Sequence, residues 1–255
     1  MNETLLVDRI ICAAARAWQN DGEVLATGIG IVPRLAASLC MSMHNRDLMM
    51  TDSEAWLVSE PVPLGPRGAQ DIKRETWMGF SRIFENVWGG KRHAMVGPTQ
   101  IDRYGQANIS MVGDDYRRPK VQMLGVRGFP GNSINHANSF FVPQHNRKVF
   151  VEGEVDMVAS VGYNPARLPR GYSFDDIDIR SVYTNLCVMD FGGPGRQLRL
   201  RTLHPGVSVQ DVQEATGFPV HVPDVIAETA APGAQELELL ARLDPRNLRA
   251  GAMGA

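Results

Sequence analysis

The stretch Glu23-Val24-Leu25-Ala26-Thr27-Gly28-Ile29-Gly30-Ile31-Val32-Pro33-Arg34 decides the fold class, because its apolar spacing changes period at the glycines. Glu23 to Thr27 reads as a short strand and Gly28-Ile29-Gly30 as a turn. Pro33 stands near the first position of a helix running from Arg34 to Met43, where a missing N–H loses no partner. A strand that feeds directly into a helix is the building unit of an open α/β sheet.

Upstream, Leu6, Ile10, Ala13, Ala14 and Ala17 fall at helical spacing and predict an amphipathic helix over Glu3 to Asn20. Downstream, Leu48 to Thr51 predicts a second strand, which sets the acidic cluster Asp52-Ser53-Glu54 at its C-terminal end, where open α/β sheets hold ligands. Further strands are predicted at His93 to Val96, Val121 to Leu124, 140–142, 149–151, 157–161, Val182 to Phe191 and Leu198 to Leu203. Ser208, with Asp211 three residues on, forms a capping-box variant for a helix that stops at Gly217. Pro232 to Leu243 predicts a C-terminal helix, and the Gly/Ala tail after Arg249 is expected to fray. The alternation implies an open, mostly parallel sheet covered by helices, in a single domain over residues 1–255, with no repeat or linker to divide it.

Composition narrows the function classes. A hydrophobic content of 44% supports a sizeable core, and 26 basic against 28 acidic residues, with no dense Lys/Arg run, argue against a nucleic-acid partner. Met1 to Arg9 lacks a basic segment followed by an apolar core, and no 18 apolar residues run together, so a soluble, unexported protein is expected. Cys12, Cys40 and Cys187 sit singly in apolar surroundings and read as buried, reduced thiols of a cytoplasmic protein. No metal site is expected: the histidines at 44, 93, 136, 145, 204 and 221 share no ligand spacing. Gly28-x-Gly30-x-x-Pro33 carries proline where a dinucleotide fingerprint needs its third glycine, and no G-x-S-x-G elbow occurs.

The segment Gly125-Val126-Arg127-Gly128-Phe129-Pro130-Gly131-Asn132 follows an apolar run and precedes Ser133-Ile134-Asn135-His136. Read as a loop, it offers backbone N–H groups to a phosphate, a carboxylate or an oxyanion; it equally suits a tight turn at a sheet edge.

Four motifs in order are similar to the β subunit of class I coenzyme A transferases, over essentially the whole chain: Gly28 to Pro33, Gln100 to Asn108, the glycine-rich segment, and His204-Pro205-Gly206-Val207 through Thr216-Gly217-Phe218. Gly125 to His136, Asp190-Phe191-Gly192-Gly193-Pro194 and Leu203 to Val207 resemble most the branch that cleaves a ring of cholesterol-derived CoA thioesters. The resemblance implies an α subunit as partner, an α2β2 assembly, an active site at the subunit interface, an acyl-CoA substrate and no bound cofactor, coenzyme A being part of the substrate. A transferase of this class attacks its thioester with a β-subunit glutamate, through an acyl-glutamyl anhydride and then a glutamyl-CoA thioester. That position falls at Ser53 in the family's register, one residue from Glu54. A serine without a base cannot replace that carboxylate, which favours hydrolysis, with a glutamate of the α subunit activating water against a ring ketone. The alternatives are a transferase acting through Glu54, a non-catalytic scaffold subunit, and a ligand sensor related to sugar-phosphate isomerases.

Water addition and ring cleavage develop an alkoxide and then an enolate, and both need fixed donors. Candidates are the N–H groups of Gly128 to Asn132, among them Phe129 and Gly131, and the side chains of Asn132 and Asn135. Arg127 suits a substrate carboxylate or a CoA phosphate, or is a solvated surface charge. Glu54, crowded by Asp52, is placed to carry a proton to the enolate carbon. Asp102 and Asn108 lie near the active-site mouth by resemblance. Trp77, Phe80, Phe84 and Trp88, at steps of three or four, predict one helix face packed in the core or against the α subunit.

Overall fold

The computed structural model describes residues 3–52, 54–65, 72–168 and 170–253. They form two compact units, one made of residues up to Met95 together with those from Ala230 onward, the other Val96–Thr229.

The first unit opens with α1 (Glu3–Ala15), which tightens into a 3-10 turn over Arg16–Trp18 instead of running on to Asn20. Trp18 is fully buried there and donates from Nε1 to the His93 carbonyl at 3.1 Å. β1 (Leu25–Gly28), α2 (Ile31–Met43), β2 (Met49–Thr51), β3 (Trp56–Val58), β4 (Arg74–Trp77), α3 (Phe80–Gly89) and β5 (Arg92–Val96) follow. Their strands run in the order β5-β1-β2-β3-β4, with β1 parallel to β2 and β5 and the β2-β3-β4 arm antiparallel. Leu35 and Leu39 of α2 and Ile10 and Ile11 of α1 lie fully or almost fully buried in the core. Pro33 falls in the first turn of α2, as its chemistry requires, and a Cβ at Gly28 would lie 2.4 Å from Pro33 Cβ. The Gly28-x-Gly30-x-x-Pro33 motif therefore brings strand and helix into close contact.

The aromatic residues depart from the predicted single helix. Trp77 ends β4, and α3 begins only at Phe80. Trp77, Phe80 and Trp88 are 56%, 74% and 69% exposed, so the reading that packs them in the core is overturned; Val87 is the buried position of α3.

In the second unit, β6 (Gln100–Ile101) pairs with β7 (Ala107–Asn108), and β8 (Met111–Val112) with β9 (Val121–Gln122), both antiparallel. A 3-10 turn (Gly125–Arg127) and α4 (Phe129–Asn135) lead into β10 (Ala137–Val142), followed by β11 (Ile179–Thr184), β12 (Cys187–Asp190), β13 (Arg199–Leu203), α5 (Val209–Ala215) and β14 (Ala227–Glu228). The order is β14-β13-β12-β11-β10, parallel at β10/β11 and β13/β14 and antiparallel between. Phe140, Phe150, Met189 and Leu198 fill its core. Ser208 and Asp211 make the capping box in full.

Four predicted strands are corrected. Val121 to Leu124 shrinks to an exposed two-residue rung, and 149–151 and 157–161 are single bridges, Ile101 to Phe150 and Ala107 to Ser160. Val182 to Phe191 is a hairpin, broken where the Thr184 hydroxyl accepts the N–H groups of Leu186 and Cys187 at 3.1 Å each.

The chain then returns to the first unit as α6 (Ala234–Leu243) and a 3-10 turn over Leu248–Gly251. Arg249 stands in that turn. That side chain is buried and bonded to Asp8 and Asp244.

Candidate active site

The acidic turn after β2 is built by Asp52. Its buried carboxylate accepts the Glu54 and Trp56 N–H groups through Oδ1 at 2.8 and 2.9 Å, and the Asp52 N–H donates to the Trp56 carbonyl at 2.8 Å. Two amides held by one carboxylate oxygen make an Asx-type turn, closed with Ala55 at φ +63°. Asp52 is thus the turn's internal brace. Glu54 points the other way, 57% exposed, with Oε2 3.4 Å from Arg74 Nη2. The Arg74 guanidinium is thus a charge partner of Glu54. Arg74 Nε also stands 3.8 Å from Asp52 Oδ2, and its guanidinium lies over the Trp56 ring at 5.6 Å. Arg74 escaped the sequence reading because the strand pairing that delivers it spans twenty residues. Ser53, to which the resemblance assigns the family's nucleophile position, lies outside the described residues.

The glycine-rich segment is helical instead of a loop. Gly125 packs so closely on Ile109 that a Cβ would lie 2.2 Å from Ile109 Cδ1, and its N–H donates to the Ile109 carbonyl. The N–H groups of Gly128 and Asn132 donate to the carbonyls of Gly125 and Gly128. Phe129 and Gly131 are the first-turn positions of α4, whose N–H groups have no acceptor within a helix. Phe129 also buries its ring in the core.

Asn132 is buried and gives its Nδ2 to Asn138 Oδ1 at 2.7 Å. Asn138 Nδ2 donates to the carbonyls of Asn132 and His136, which fixes both amide orientations. The side-chain donor of Asn132 is therefore committed inward, not offered to an oxyanion. Arg127 is exposed beside α4, and Asn135 is exposed at its end.

Asp102 and Asn108 brace the β6–β7 hairpin. Asp102 Oδ1 accepts the N–H groups of Tyr104 and Gln106 at 2.9 Å each, and burial raises its carboxyl to about 7 against the opposing pull of those two amides. Asn108 donates to Gln100 Oε1 and the Met111 carbonyl while its Oδ1 accepts from Ser110 and Met111. Both residues hold the main chain in place.

Sequence reasoning missed a buried imidazole network. His145 Nδ1 lies 3.2 Å from Thr184 Oγ1 and Nε2 2.9 Å from Thr216 Oγ1, with the ring stacked on Phe150 at 3.8 Å. Burial lowers His145 to about 3, so the ring is neutral. His204 bonds Thr229 Oγ1 at 3.0 Å and the Thr184 carbonyl at 2.8 Å, which gives the His204-Pro205-Gly206 motif a structural role. No local signal marks these partners, which are 20 to 71 residues away in sequence.

No protein-family profile matches the chain. The cholesterol ring-cleaving hydrolase IpdB subunit of Mycobacterium tuberculosis H37Rv is 41% identical over 242 residues, covering 94% of this chain and 95% of that one. The crystal structure of Rhodococcus jostii RHA1 IpdAB superposes with a TM-score of 0.89 at 34% identity, covering 98% of both chains. Glutaconate coenzyme A-transferase from Acidaminococcus fermentans, at 22% identity and a TM-score of 0.76, shares the fold. The architecture is that of the B subunits of two-subunit coenzyme A transferase-like enzymes. Within that class, the chain belongs to the family of IpdB subunits of the cholesterol ring-cleaving hydrolase. No helix among the described residues is long and apolar enough to cross a membrane.

Proposed function

We propose that this chain is the β subunit of a cytoplasmic α2β2 hydrolase that opens a ring of a β-keto-type cyclic acyl-CoA in steroid degradation. The observation that carries the reading is 41% identity to an IpdB subunit over 94% of the chain. Coenzyme A enters as part of the substrate, and no other cofactor is required.

Hydroxide derived from water bonds to the ring ketone carbon, and the resulting alkoxide collapses to a carboxyl group. The C–C bond to the carbon next to the thioester breaks, and its electron pair becomes the thioester enolate. A proton delivered to that carbon completes the addition of water. The base that activates water is assigned to the α subunit. This chain supplies two things: the first-turn amides of Phe129 and Gly131 as donors to a developing oxyanion, and Glu54, exposed on a braced turn, as the group that hands on the proton. Arg74 places its guanidinium 3.4 Å from the Glu54 carboxylate.

The test uses the αβ complex with a cyclic β-keto acyl-CoA in 18O-labelled water, with and without an acceptor carboxylate. Label in a ring-opened CoA thioester formed without acceptor supports hydrolysis. Transfer of CoA to the acceptor, with borohydride-sensitive inactivation at Glu54, would replace this reading with transferase chemistry.

A further inference from the structure

Trp77-Met78-Gly79-Phe80 leaves β4 and enters α3 directly beside the acidic turn. The Met78 N–H donates to the Ala55 carbonyl at 2.6 Å, and Trp77 pairs across the strands with Trp56, whose own ring carries Arg74. Gly79 makes the next step possible: a Cβ there would lie 2.3 Å from the Trp77 ring, so the indole is folded over bare backbone. Phe80 follows, its ring centroid 5.0 Å from that of Phe84. The result is two aromatic side chains, 56% and 74% exposed, that begin where the turn bearing Glu54 ends.

Two aromatic side chains this exposed, three residues apart, offer apolar faces to a ligand. We propose that Trp77 and Phe80 form a specificity lip that takes the apolar fused rings of the acyl group, while the turn at Glu54 meets its reacting end. This rests on the hydrolase reading above. Continuity selects the occupant. The Met78 hydrogen bond and the Trp56–Trp77 pairing tie the lip to the turn that carries Glu54, and flat apolar rings are the chemistry that indole and phenyl faces accept. Arg74 links the polar and apolar parts of this surface, with its guanidinium 3.4 Å from Glu54 and over the Trp56 indole.

The experiment compares two cyclic β-keto acyl-CoA substrates on the αβ complex, one with fused apolar rings and one monocyclic. Trp77→Ala and Phe80→Ala should each raise KM for the fused-ring substrate about tenfold and change the monocyclic substrate less than about twofold. Trp77→Phe should recover most of the loss. Equal effects on both substrates, or loss of the αβ complex on gel filtration, would overturn the lip, the second by assigning the face to the α subunit. Binding is read separately from turnover, by quenching of tryptophan fluorescence with an unreactive fused-ring acyl-CoA. The lip requires quenching that coenzyme A alone does not produce and that Trp77→Phe removes; quenching unchanged in Trp77→Phe refutes it. If the wild type binds this probe in that way yet opens neither substrate, the hydrolase reading fails and the lip stands.

Discussion

Arg249 donates through Nε to Asp8 Oδ1 at 2.5 Å, across 241 residues of sequence, and through Nη1 to Asp244 Oδ2 at 3.2 Å. All three residues are buried. Removing the guanidinium strands two carboxylates away from water, the expensive half of a buried ion pair. Arg249→Ala should lose about 3–5 kcal/mol in urea denaturation, and a loss below about 1 kcal/mol would show that the cluster is already well hydrated.

Asp102 and His145 bias stability with pH in opposite senses. An unfolded aspartate ionises near 3.9, whereas native Asp102 holds its proton to about 7, so its contribution is greatest below pH 4 and falls as pH rises to 7. An unfolded histidine protonates near 6.5, whereas native His145 resists to about 3, so its contribution is complete above 6.5 and falls with acid. Between roughly pH 4 and 6.5 the two slopes oppose each other, each at most about 1.4 kcal/mol per pH unit. Asp102→Asn keeps the acceptor for Tyr104 and Gln106 and should unmask a loss of stability on acidification. His145→Gln should unmask a loss on raising the pH. Urea midpoints at about pH 4.5 and pH 6.5 decide, and parallel profiles for all three proteins would contradict the assignment.

Gly162 lies at φ +54°, and a Cβ there would meet the Gln106 nitrogen and Tyr104 oxygen at 2.5 Å each. Backbone cannot yield as a side chain can. Gly162→Ala should cost about 2–4 kcal/mol, measured by thermal unfolding, and a neutral result would mean that the hairpin opposite shifts readily.

Cys187 Sγ stands 3.9 Å from His145 Nδ1, a spacing that invites a nucleophile–base reading. Burial defeats it by pushing the thiol up to about 12 and the imidazole down to about 3. Cys12 and Cys40 are buried as well. Native protein should therefore show no fast thiol with Ellman's reagent and three in urea, and Cys187→Ala should leave turnover within about twofold. Rapid reaction of one native thiol would refute this.

What the sequence made legible was local. The first strand–helix unit rests on Gly28 and Pro33, five residues apart, and the Ser208–Asp211 box on three. The acidic turn was legible for the same reason, as the residues just past a strand. Elsewhere the deciding partner is remote. The break at Thr184 needs its hydroxyl to take two amides, and helical spacing at Trp77 was overridden by pairing with Trp56. The glycines at 125–131 suggested a loop because nothing nearby announces Ile109, against which Gly125 packs. Arg74 reaches Glu54 only once three strands have paired.

The clamp at Arg249 also sets an order of events during synthesis. The second unit is one continuous stretch, complete when Thr229 has been made, whereas the first has to wait for α6 and Arg249. At about 5–20 residues per second the ribosome takes on the order of 1–4 seconds over that interval, and Asp8 waits that long for the Arg249 guanidinium. A polypeptide released before Arg249 would hold every residue of the second unit, but in the first the Asp8 carboxylate would lack its guanidinium.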